Sequence, residues 1–407
     1  MGVSERTHST ASSSCPCGAT VLQEDLLTFD AVPASGHFRT CPTESPASAS
    51  LQFSFCVECG TAALAPGGVA KNYAAIDRAT TRQLPGHAHR LVAQLSGWGI
   101  EPDSPIVEIG ANDGTFLHLL AAAGYQNLFG LEPSESLAHQ AARSGLPVLS
   151  GYFGPDAVPR LRSEWPAPAA IVCRHTLEHV PDPAEFARAL FDYAAASKAL
   201  LLLEVPDGMA IPELLNVHEL WDEHLHYFSA PGLSRLLDRS GFKTMDVAVY
   251  PHLDTRNLVV WARPGGGAAS QGHLADGEGE RCAAAWRSLP SRWGAFTDRF
   301  RSRLATAARP FYAIGASHPQ CNFLNFVGAP DAITPIDDDP EKVGKFPPLR
   351  SAPECVISSA RFLATASSGT LLCTGFGYPA WTKALAAHAA DMNMQILDPI
   401  PLMRASR

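Results

Sequence analysis

Short apolar runs and longer mixed runs alternate along residues 105–206, and their order predicts strands and helices in turn. The apolar runs have the length of buried strands and occupy 105–109, 128–132, 169–173 and 199–206. The last of these is apolar almost throughout, which is typical of a strand that is covered on both faces. The runs between them predict helices at 116–123, 134–144 and 184–196. This alternation is typical of an α/β domain with a parallel, doubly wound sheet.

Further elements are predicted on both sides of this domain. Upstream, apolar residues at helical spacing predict a helix over 83–96 that leads into the domain. Downstream, a polar, glycine-rich stretch at 264–281 predicts a linker. Beyond the linker we expect a mostly helical segment at 283–308, followed by strands at 311–317, 370–374 and 394–397.

Composition narrows the classes of protein that fit. The chain has 407 residues, which is longer than one typical core, so two or three domains are expected. A net charge of −9 disfavours non-specific binding to nucleic acid or to anionic membranes. No apolar run approaches the roughly 18 residues of a membrane helix, and residues 1–14 lack the apolar region of a signal peptide. We therefore expect a cytoplasmic protein that does not bind membranes and has a disordered tail at 1–14.

Five of the ten cysteines fall within the first 59 residues. In a reducing compartment, cysteines are thiols or metal ligands rather than disulfides. A C-x-x-C-G knuckle and a shorter C-x-C-G pair supply four thiolates, which predict a closed structural zinc site at Cys15, Cys17, Cys56 and Cys59. Cys41 or His37 remains an alternative to one ligand of the shorter pair. A knuckle-like fold that has lost its metal is the other interpretation.

The strand at 105–109 ends in a glycine turn, E-I-G-A-N-D-G at 108–114, and a helix follows. Strand, glycine turn and helix form the beginning of a nucleotide-binding α/β unit. Gly110 and Gly114 allow the backbone to approach a ligand closely. Glu108 and Asp113 place carboxylates beside the turn, which argues against a phosphate and favours a cationic or hydroxyl-bearing ligand.

A second acid ends the next strand. Glu132 lies about 20 residues after the glycine turn, at the spacing where an acid binds the hydroxyls of a ribose. An NAD-binding turn is the alternative, but the sequence has no G-x-G-x-x-G.

At these residues the sequence resembles class I S-adenosylmethionine-dependent methyltransferases. The segments E-I-G-A-N-D-G and G-L-E-P resemble their first two motifs, and L-E-H-V-P-D-P at 177–183 resembles their fourth. In such enzymes the residues after the third strand flank the adenine, where Phe153 either stacks or simply packs. The resemblance implies that the cofactor is held by Glu108, Gly110, Asn112, Asp113, Gly114, Glu132, Phe153 and His175.

A further segment, W-D-E-H-L-H-Y-F-S at 221–229, precedes a helix predicted at 231–240. It resembles a segment of the sugar C-methyltransferase family, whose members methylate a carbon beside a keto group in nucleotide-linked deoxysugars of natural-product biosynthesis. The resemblance implies that His224 is the general base and that His179 lies at the edge of the substrate pocket. Glu223 and Tyr227 complete the catalytic residues that it suggests.

The resemblance also implies the fold class. We expect an α/β protein with a Rossmann-like class I methyltransferase sheet at 71–263, a small zinc-binding domain at 15–70 and a second Rossmann-like α/β domain at 282–407. The protein is expected to be a monomer with a small-molecule substrate, S-adenosyl-L-methionine and a structural zinc ion.

Departures from the family pattern leave two alternatives open. Trp221 and Asp222 replace a Tyr-His pair, and His318 and Pro319 lie near the place of a missing lysine. The substrate is therefore either the nucleotide-linked sugar or a non-sugar intermediate methylated at carbon, nitrogen or oxygen. The third interpretation is a non-catalytic, zinc-bearing interaction protein, although the glycines and acids of the cofactor turn are present.

Overall fold

The computed structural model describes residues 15–19, 22–66, 73–75, 84, 86–265, 277–350 and 354–405. The predicted tail at 1–14 lies outside the described residues. The N-terminal region forms an antiparallel sheet of β1 (Leu22–Pro33), β2 (Ser48–Cys56) and β3 (Ala62–Leu64). A fourth strand, β9 (His226–Tyr227), comes from far along the chain and pairs with β3. This pairing ties the N-terminal region to the predicted catalytic segment.

The central sheet contains every strand that the apolar pattern predicts between 105 and 206. Its parallel strands are β4 (Ile106–Ile109), β5 (Leu128–Glu132), β6 (Val148–Ser150), β7 (Ala170–Arg174) and β8 (Leu200–Pro206). An antiparallel hairpin of β10 (Phe242–His252) and β11 (Thr255–Pro264), which the sequence analysis did not predict, extends the sheet beside β8. The strand order is β10-β11-β8-β7-β4-β5-β6. The predicted α/β fold class is confirmed, with a mixed sheet.

Helices cover both faces of this sheet, and polar side chains fix where several of them begin. The helices are α1 (Ala88–Gly97), α2 (Thr115–Ala122), α3 (Glu135–Arg143), α4 (Ala157–Glu164), α5 (Pro183–Ala195), α6 (Ala210–Leu214) and α7 (Ala230–Arg239). Ser134, Asp182 and Ser229 cap α3, α5 and α7 by accepting hydrogen bonds from backbone N–H groups of the first turn. The helix predicted over 83–96 begins at Ala88.

A second, parallel sheet lies in the C-terminal region. Its strands, in the order β13-β12-β14-β15, are β12 (Phe311–Ile314), β13 (Ile333–Ile336), β14 (Thr370–Leu372) and β15 (Gln395–Leu397). The helices of this region are α8 (Glu278–Ala305), α9 (His318–Val327), α10 (Ser359–Thr365), α11 (Pro379–Asp391) and α12 (Pro399–Arg404). Helix α8 begins within the stretch predicted as a linker at 264–281. Residues 266–276 of that stretch lie outside the described part.

One apolar core joins the N-terminal sheet, α8 and the C-terminal sheet. Phe53 of β2, Trp286 of α8 and Phe323 of α9 are fully buried in it. The indole N–H of Trp286 also donates a hydrogen bond to the Gly60 carbonyl at 2.7 Å. Two further cores cover the two faces of the central sheet. Over the described ranges, no helix has the length and apolar character needed to cross a membrane.

Candidate functional site

The turn between β4 and α2 has the backbone that close approach of a ligand requires. Gly110 and Gly114 both have left-handed backbones, with φ of 76° and 83°. A Cβ at Gly110 would overlap the Thr176 hydroxyl, and one at Gly114 would overlap Leu146. Asn112 is also left-handed, with φ of 52°. Asp113 is used locally, because its carboxylate accepts hydrogen bonds from the backbone and hydroxyl of Thr115.

Glu132 is fixed beside this turn at the end of β5. Its carboxylate accepts hydrogen bonds from the N–H of Asn112 at 2.8 Å and from the N–H of Ser134 at 2.9 Å. Burial raises the pKa of Glu132, and the two N–H groups partly oppose that effect. The predicted ribose-binding acid is therefore held rigidly against the glycine turn.

Two polar atoms of opposite character are buried near the turn without hydrogen-bond partners among the described residues. They are Oε2 of Glu108 and Nη2 of Arg174. Burial raises the pKa of Glu108 to about 8, although the charge of Arg174 lowers it in part. The Arg174 guanidinium lies over the Phe116 ring at 4.3 Å. An unpaired acceptor and an unpaired donor at one sheet edge suit a ligand that carries both charges.

Glu204, at the end of β8, is the centre of a buried charge network. Its carboxylate lies 2.6 Å from His87 Nε2, 2.5 Å from Arg174 Nε and 2.8 Å from Asn257 Nδ2. Burial alone would raise the pKa of Glu204, but His175, His87 and Arg174 outweigh it and hold the pKa well below its usual value. This network fixes Arg174 and the start of the loop after β7.

His175 lies between two carboxylates. Its ring nitrogens are 3.6 Å from Glu178 and 3.5 Å from Glu204, and its side chain is about a third exposed, at 34%. Burial lowers the pKa of His175, but the two carboxylates outweigh it and raise the pKa to about 9. The residue has a left-handed backbone with φ of 48°. The structure thus places a cationic imidazole at the carboxyl edge of the sheet.

Residues after β6 approach the same edge. Phe153 is half-buried and packs edge-on against Phe186 of α5, with ring centroids 5.1 Å apart. Its neighbour Tyr152 is exposed, and its hydroxyl accepts a hydrogen bond from the N–H of Ala74 at 3.1 Å. The short 3-10 helix Tyr73–Ala75 therefore contacts the segment after β6 that carries Phe153.

The two predicted catalytic histidines lie side by side. The rings of His179 and His224 are 4.8 Å apart and nearly perpendicular. His179 Nδ1 lies 2.8 Å from the Glu223 carbonyl oxygen and 2.7 Å from the Tyr73 hydroxyl. Because a carbonyl only accepts, the Glu223 contact assigns the proton to Nδ1 and the lone pair to Nε2, and the Tyr73 oxygen then shares this N–H as a second acceptor. Trp221 packs against His224 at 4.8 Å.

Tyr227 and Glu223 occupy more buried positions than the histidines. The Tyr227 hydroxyl accepts a hydrogen bond from the N–H of Trp221 and donates to its carbonyl. Only 3% of Tyr227 is exposed. Its geometry supports a role in shaping the loop that carries His224. Glu223 is also buried, and its backbone carbonyl orients His179.

The N-terminal and C-terminal regions both contact the loop that carries His224, which spans 216–225. From the N-terminal sheet, the N–H of Leu64 donates to Leu225, and β3 pairs with β9 just beyond. From the C-terminal region, Asn322 Nδ2 donates to the Leu220 carbonyl at 3.0 Å, and His318 stacks on Trp221 at 3.8 Å. The loop is thereby held on both sides.

The four cysteines predicted as metal ligands meet in one buried cluster. Their sulfur atoms all lie within 4.8 Å of one another. Cys15 Sγ is 3.6 Å from Cys59 Sγ, and Cys17 Sγ is 3.8 Å from Cys56 Sγ. Cys41 is exposed and bonds Thr43, and His37 is exposed as well. Geometry therefore favours Cys15 and Cys17 over both alternatives.

Sequence reasoning missed several residues that the structure brings to the site. Glu178, Arg174, Glu204 and Tyr73 contact the predicted residues, yet none was selected. Glu178 lies inside the L-E-H-V motif, so the motif itself points to it, and a search for acids near the ends of apolar strands would have found Glu204. Tyr73 and Arg174 carried no comparable signal.

A protein-family model described as a methyltransferase domain matches residues 80–247. The match covers β4 to β8, the glycine turn, Glu132 and both histidines. No curated protein was found to be similar in sequence.

Solved structures of methyltransferases superpose on part of the chain. Magnesium protoporphyrin IX methyltransferase from Synechocystis PCC 6803, with bound SAH, is 16% identical, covers 43% of this chain and 81% of its own, and has a TM-score of 0.35. An S-adenosylmethionine-dependent methyltransferase from Clostridium acetobutylicum ATCC 824 is 10% identical over 44% and 91%, with a TM-score of 0.34. One from Aquifex aeolicus is 16% identical over 46% and 94%, also with a TM-score of 0.34.

Proposed function

We propose that this S-adenosylmethionine-dependent methyltransferase transfers a methyl group to a carbon beside the keto group of a nucleotide-linked deoxysugar. The observation that carries the proposal is the position of His224. It lies against His179 at the carboxyl edge of the central sheet, on a loop that both flanking regions hold. Ligands bind at this edge in open α/β sheets.

The residues of the glycine turn fit the cofactor. Glu132 would accept hydrogen bonds from the ribose hydroxyls, and the 110–114 turn would lie against the methionine half. The unpaired Oε2 of Glu108 and Nη2 of Arg174 match the ammonium and carboxylate groups of methionine. Phe153 would flank the adenine, and His175 would lie near the methionine end. The cofactor supplies an electrophilic methyl group.

The chemistry assigned to this chain is the removal of a proton. His224 would take the proton beside the substrate's keto group, which makes that carbon nucleophilic. Histidine suits this role because its pKa lies near neutral pH. His179, held by the Glu223 carbonyl and Tyr73, would orient the substrate, and Tyr227 would keep the loop in shape. Pre-orientation of this kind accounts for much of the barrier reduction in enzymes.

The cysteine cluster is proposed to hold one zinc ion. With zinc–sulfur bonds of about 2.3 Å, tetrahedral sulfurs lie about 3.8 Å apart. The measured pairs, at 3.6 and 3.8 Å, fit that geometry. Four cysteines close the site, so its role is structural. The Ser229 hydroxyl donates to the Cys59 carbonyl, and this contact joins the cluster to α7.

The experiment that tests the proposal measures two events separately. Candidate 4-keto nucleotide sugars are incubated with S-adenosylmethionine, and a gain of one methylene is sought by mass spectrometry. In parallel, exchange of the substrate's alpha proton with deuterium is followed without methyl donor. His224→Asn should reduce turnover by roughly 10² to 10⁴, the usual worth of a general base, and should abolish exchange. Exchange at the wild-type rate in that variant would assign the base to another residue.

A non-sugar substrate is the second candidate. The stacking of His318 on Trp221 favours a non-sugar substrate, because these two residues are at positions where the sequence departs from the sugar-methylating pattern. A panel of non-sugar ketones and phenols in the same assay separates the two substrate classes. The non-catalytic interpretation is set aside, since the chain carries a methyltransferase domain.

A further inference from the structure

Glu178 is a buried carboxylate whose charge is not matched by hydrogen bonds. It lies in the short 3-10 helix Leu177–His179, with 1% of its surface exposed. Neither carboxylate oxygen has a hydrogen-bond partner within the described ranges. The Nδ1 of the cationic His175 lies 3.6 Å from the carboxylate, which is too far for a hydrogen bond. His175 compensates part of the charge, but within the described ranges both oxygens still lack the hydrogen bonds that buried carboxylates normally accept.

Two imidazoles lie next to this carboxylate. Ligand atoms of Glu178, His179 and His224 all lie within 4.8 Å of one another. The two loops that supply them are joined directly, because the N–H of Leu225 donates to the Glu178 carbonyl at 2.8 Å. The arrangement is therefore fixed by the backbone and does not depend on flexible side chains alone.

The protonation of His179 suits a metal ligand. Its Nδ1–H donates to the Glu223 carbonyl at 2.8 Å, which leaves the lone pair on Nε2. Histidines that bind metals usually donate their other ring N–H to a carbonyl or carboxylate in this way, which fixes the ring and its tautomer.

We propose that Glu178, His179 and His224 form a second metal site, which binds a divalent first-row cation such as Co²⁺ or Zn²⁺. Two imidazoles and one carboxylate are a ligand set that these ions prefer. The site differs from the cysteine cluster in its ligands and leaves coordination positions open. Its functional consequence rests on the proposed role of His224: a bound cation occupies the imidazole, so that it no longer accepts the substrate proton. The cation is then an inhibitor of methyl transfer.

Binding is measured first, without substrate. Co²⁺ is titrated into wild-type protein whose cysteine cluster has first been filled with one equivalent of Zn²⁺. Visible absorption bands then report nitrogen and oxygen ligands, and the absence of a near-ultraviolet thiolate band verifies that cobalt has not entered the cysteine cluster. Competition with a chelating dye gives the affinity. Glu178→Gln should weaken binding at least about 100-fold, since loss of an outer-shell partner alone costs 10- to 100-fold. Glu185→Gln, a matched change at an exposed position on α5, should leave it unchanged.

A second variant protects the test against misfolding. His224→Asn alters a half-exposed side chain and should also remove the visible bands, while circular dichroism and S-adenosylmethionine affinity stay unchanged. Absence of bands in the wild type, or equal affinity in Glu178→Gln, overturns the site.

Turnover is measured second. Added Co²⁺ or Zn²⁺ should reduce methyl transfer at the concentration that half-saturates the visible bands, and a chelator should restore it. A rise in turnover overturns the inhibitory role. If no substrate is methylated under any condition, the proposed function fails, while the spectral titration still decides whether the metal site exists.

Discussion

Replacement of Glu132 by glutamine separates a ligand contact from a structural one. The carboxylate accepts two backbone hydrogen bonds, from Asn112 and Ser134, and is proposed to accept the ribose hydroxyls as well. A glutamine retains one acceptor oxygen, so it satisfies only one of the two N–H groups. We therefore expect both cofactor affinity and stability to fall, for different reasons.

The two losses have different magnitudes. A hydrogen bond to a charged group contributes about 1.5–3 kcal/mol, which corresponds to a roughly 10- to 150-fold weaker Kd at 1.36 kcal/mol per tenfold. One unsatisfied buried N–H costs about 1–3 kcal/mol of unfolding free energy. Calorimetric titration with S-adenosylmethionine measures the first, and urea unfolding of the apoprotein measures the second.

The control is Glu135→Gln, on the exposed first turn of α3, three residues away. It should change neither quantity by a comparable amount. A Glu132→Gln variant that loses stability but binds the cofactor with unchanged Kd would refute the ribose assignment and leave Glu132 as a support of the turn.

Three further predictions concern other parts of the chain. Glu108, with a pKa raised to about 8, must lose its proton to bind an ammonium group. Cofactor affinity measured by calorimetry should therefore rise between pH 7 and 8.5 with proton release, and Glu108→Gln should flatten this pH dependence. A flat pH profile of the wild-type protein would contradict the prediction. In the unligated protein the same raised pKa means that stability falls as pH rises from about 4.5 to 8. Metal analysis should find one zinc ion in the wild-type protein and none in Cys59→Ser, which should also melt at a lower temperature. Cys41→Ser, at an exposed site, should keep the zinc and the wild-type melting temperature. Zinc-free wild-type protein would count against the site. Glu204→Gln leaves Arg174 and the adjacent histidines without their buried counter-charge. Urea unfolding should therefore show that the free energy of unfolding falls by about 3–5 kcal/mol. A fall below about 1 kcal/mol would mean that the network rearranges.

The sequence predicted the parts of the fold that depend on local pattern. Four of the five strands between 105 and 206 follow from continuous apolar runs with glycine or polar residues at their ends, whereas the short, only partly buried β6 has no such run. The β10–β11 hairpin was missed for two reasons. Most of β10 consists of partly exposed and exposed residues such as Val249, which give little apolar contrast, and the buried apolar run at 258–262 in β11 was overlooked although it resembles the runs that were used. The two-residue strand β9 has no pattern of its own, and only its pairing with β3 makes it a strand.

The candidate site shows the same division. Glu108 and the two glycines follow from motif spacing, since the chain itself fixes their distance along the turn. Glu132 follows from its position at the end of the next strand, which pairs with β4. The meeting of Tyr73 with His179, or of His318 with Trp221, depends on tertiary packing between residues more than 90 positions apart. No spacing rule carries that information. The burial of Glu178 without a hydrogen bond to its carboxylate from the described residues likewise appears only once its neighbours are in place.

The pairing of β3 with β9 limits how the N-terminal region can be exchanged between this chain and similar proteins. Strand β9, from the middle of the chain, completes the sheet whose other strands come from the N-terminal region. The N-terminal structural unit therefore consists of two segments that are far apart in the sequence. A chimera that replaces residues 15–66 alone would join a foreign β3 to the native β9, next to the proposed base. Such transplants should work only when residues 216–228 move together with the N-terminal sheet. The unit that has to be exchanged as a whole therefore consists of two separate segments of the sequence.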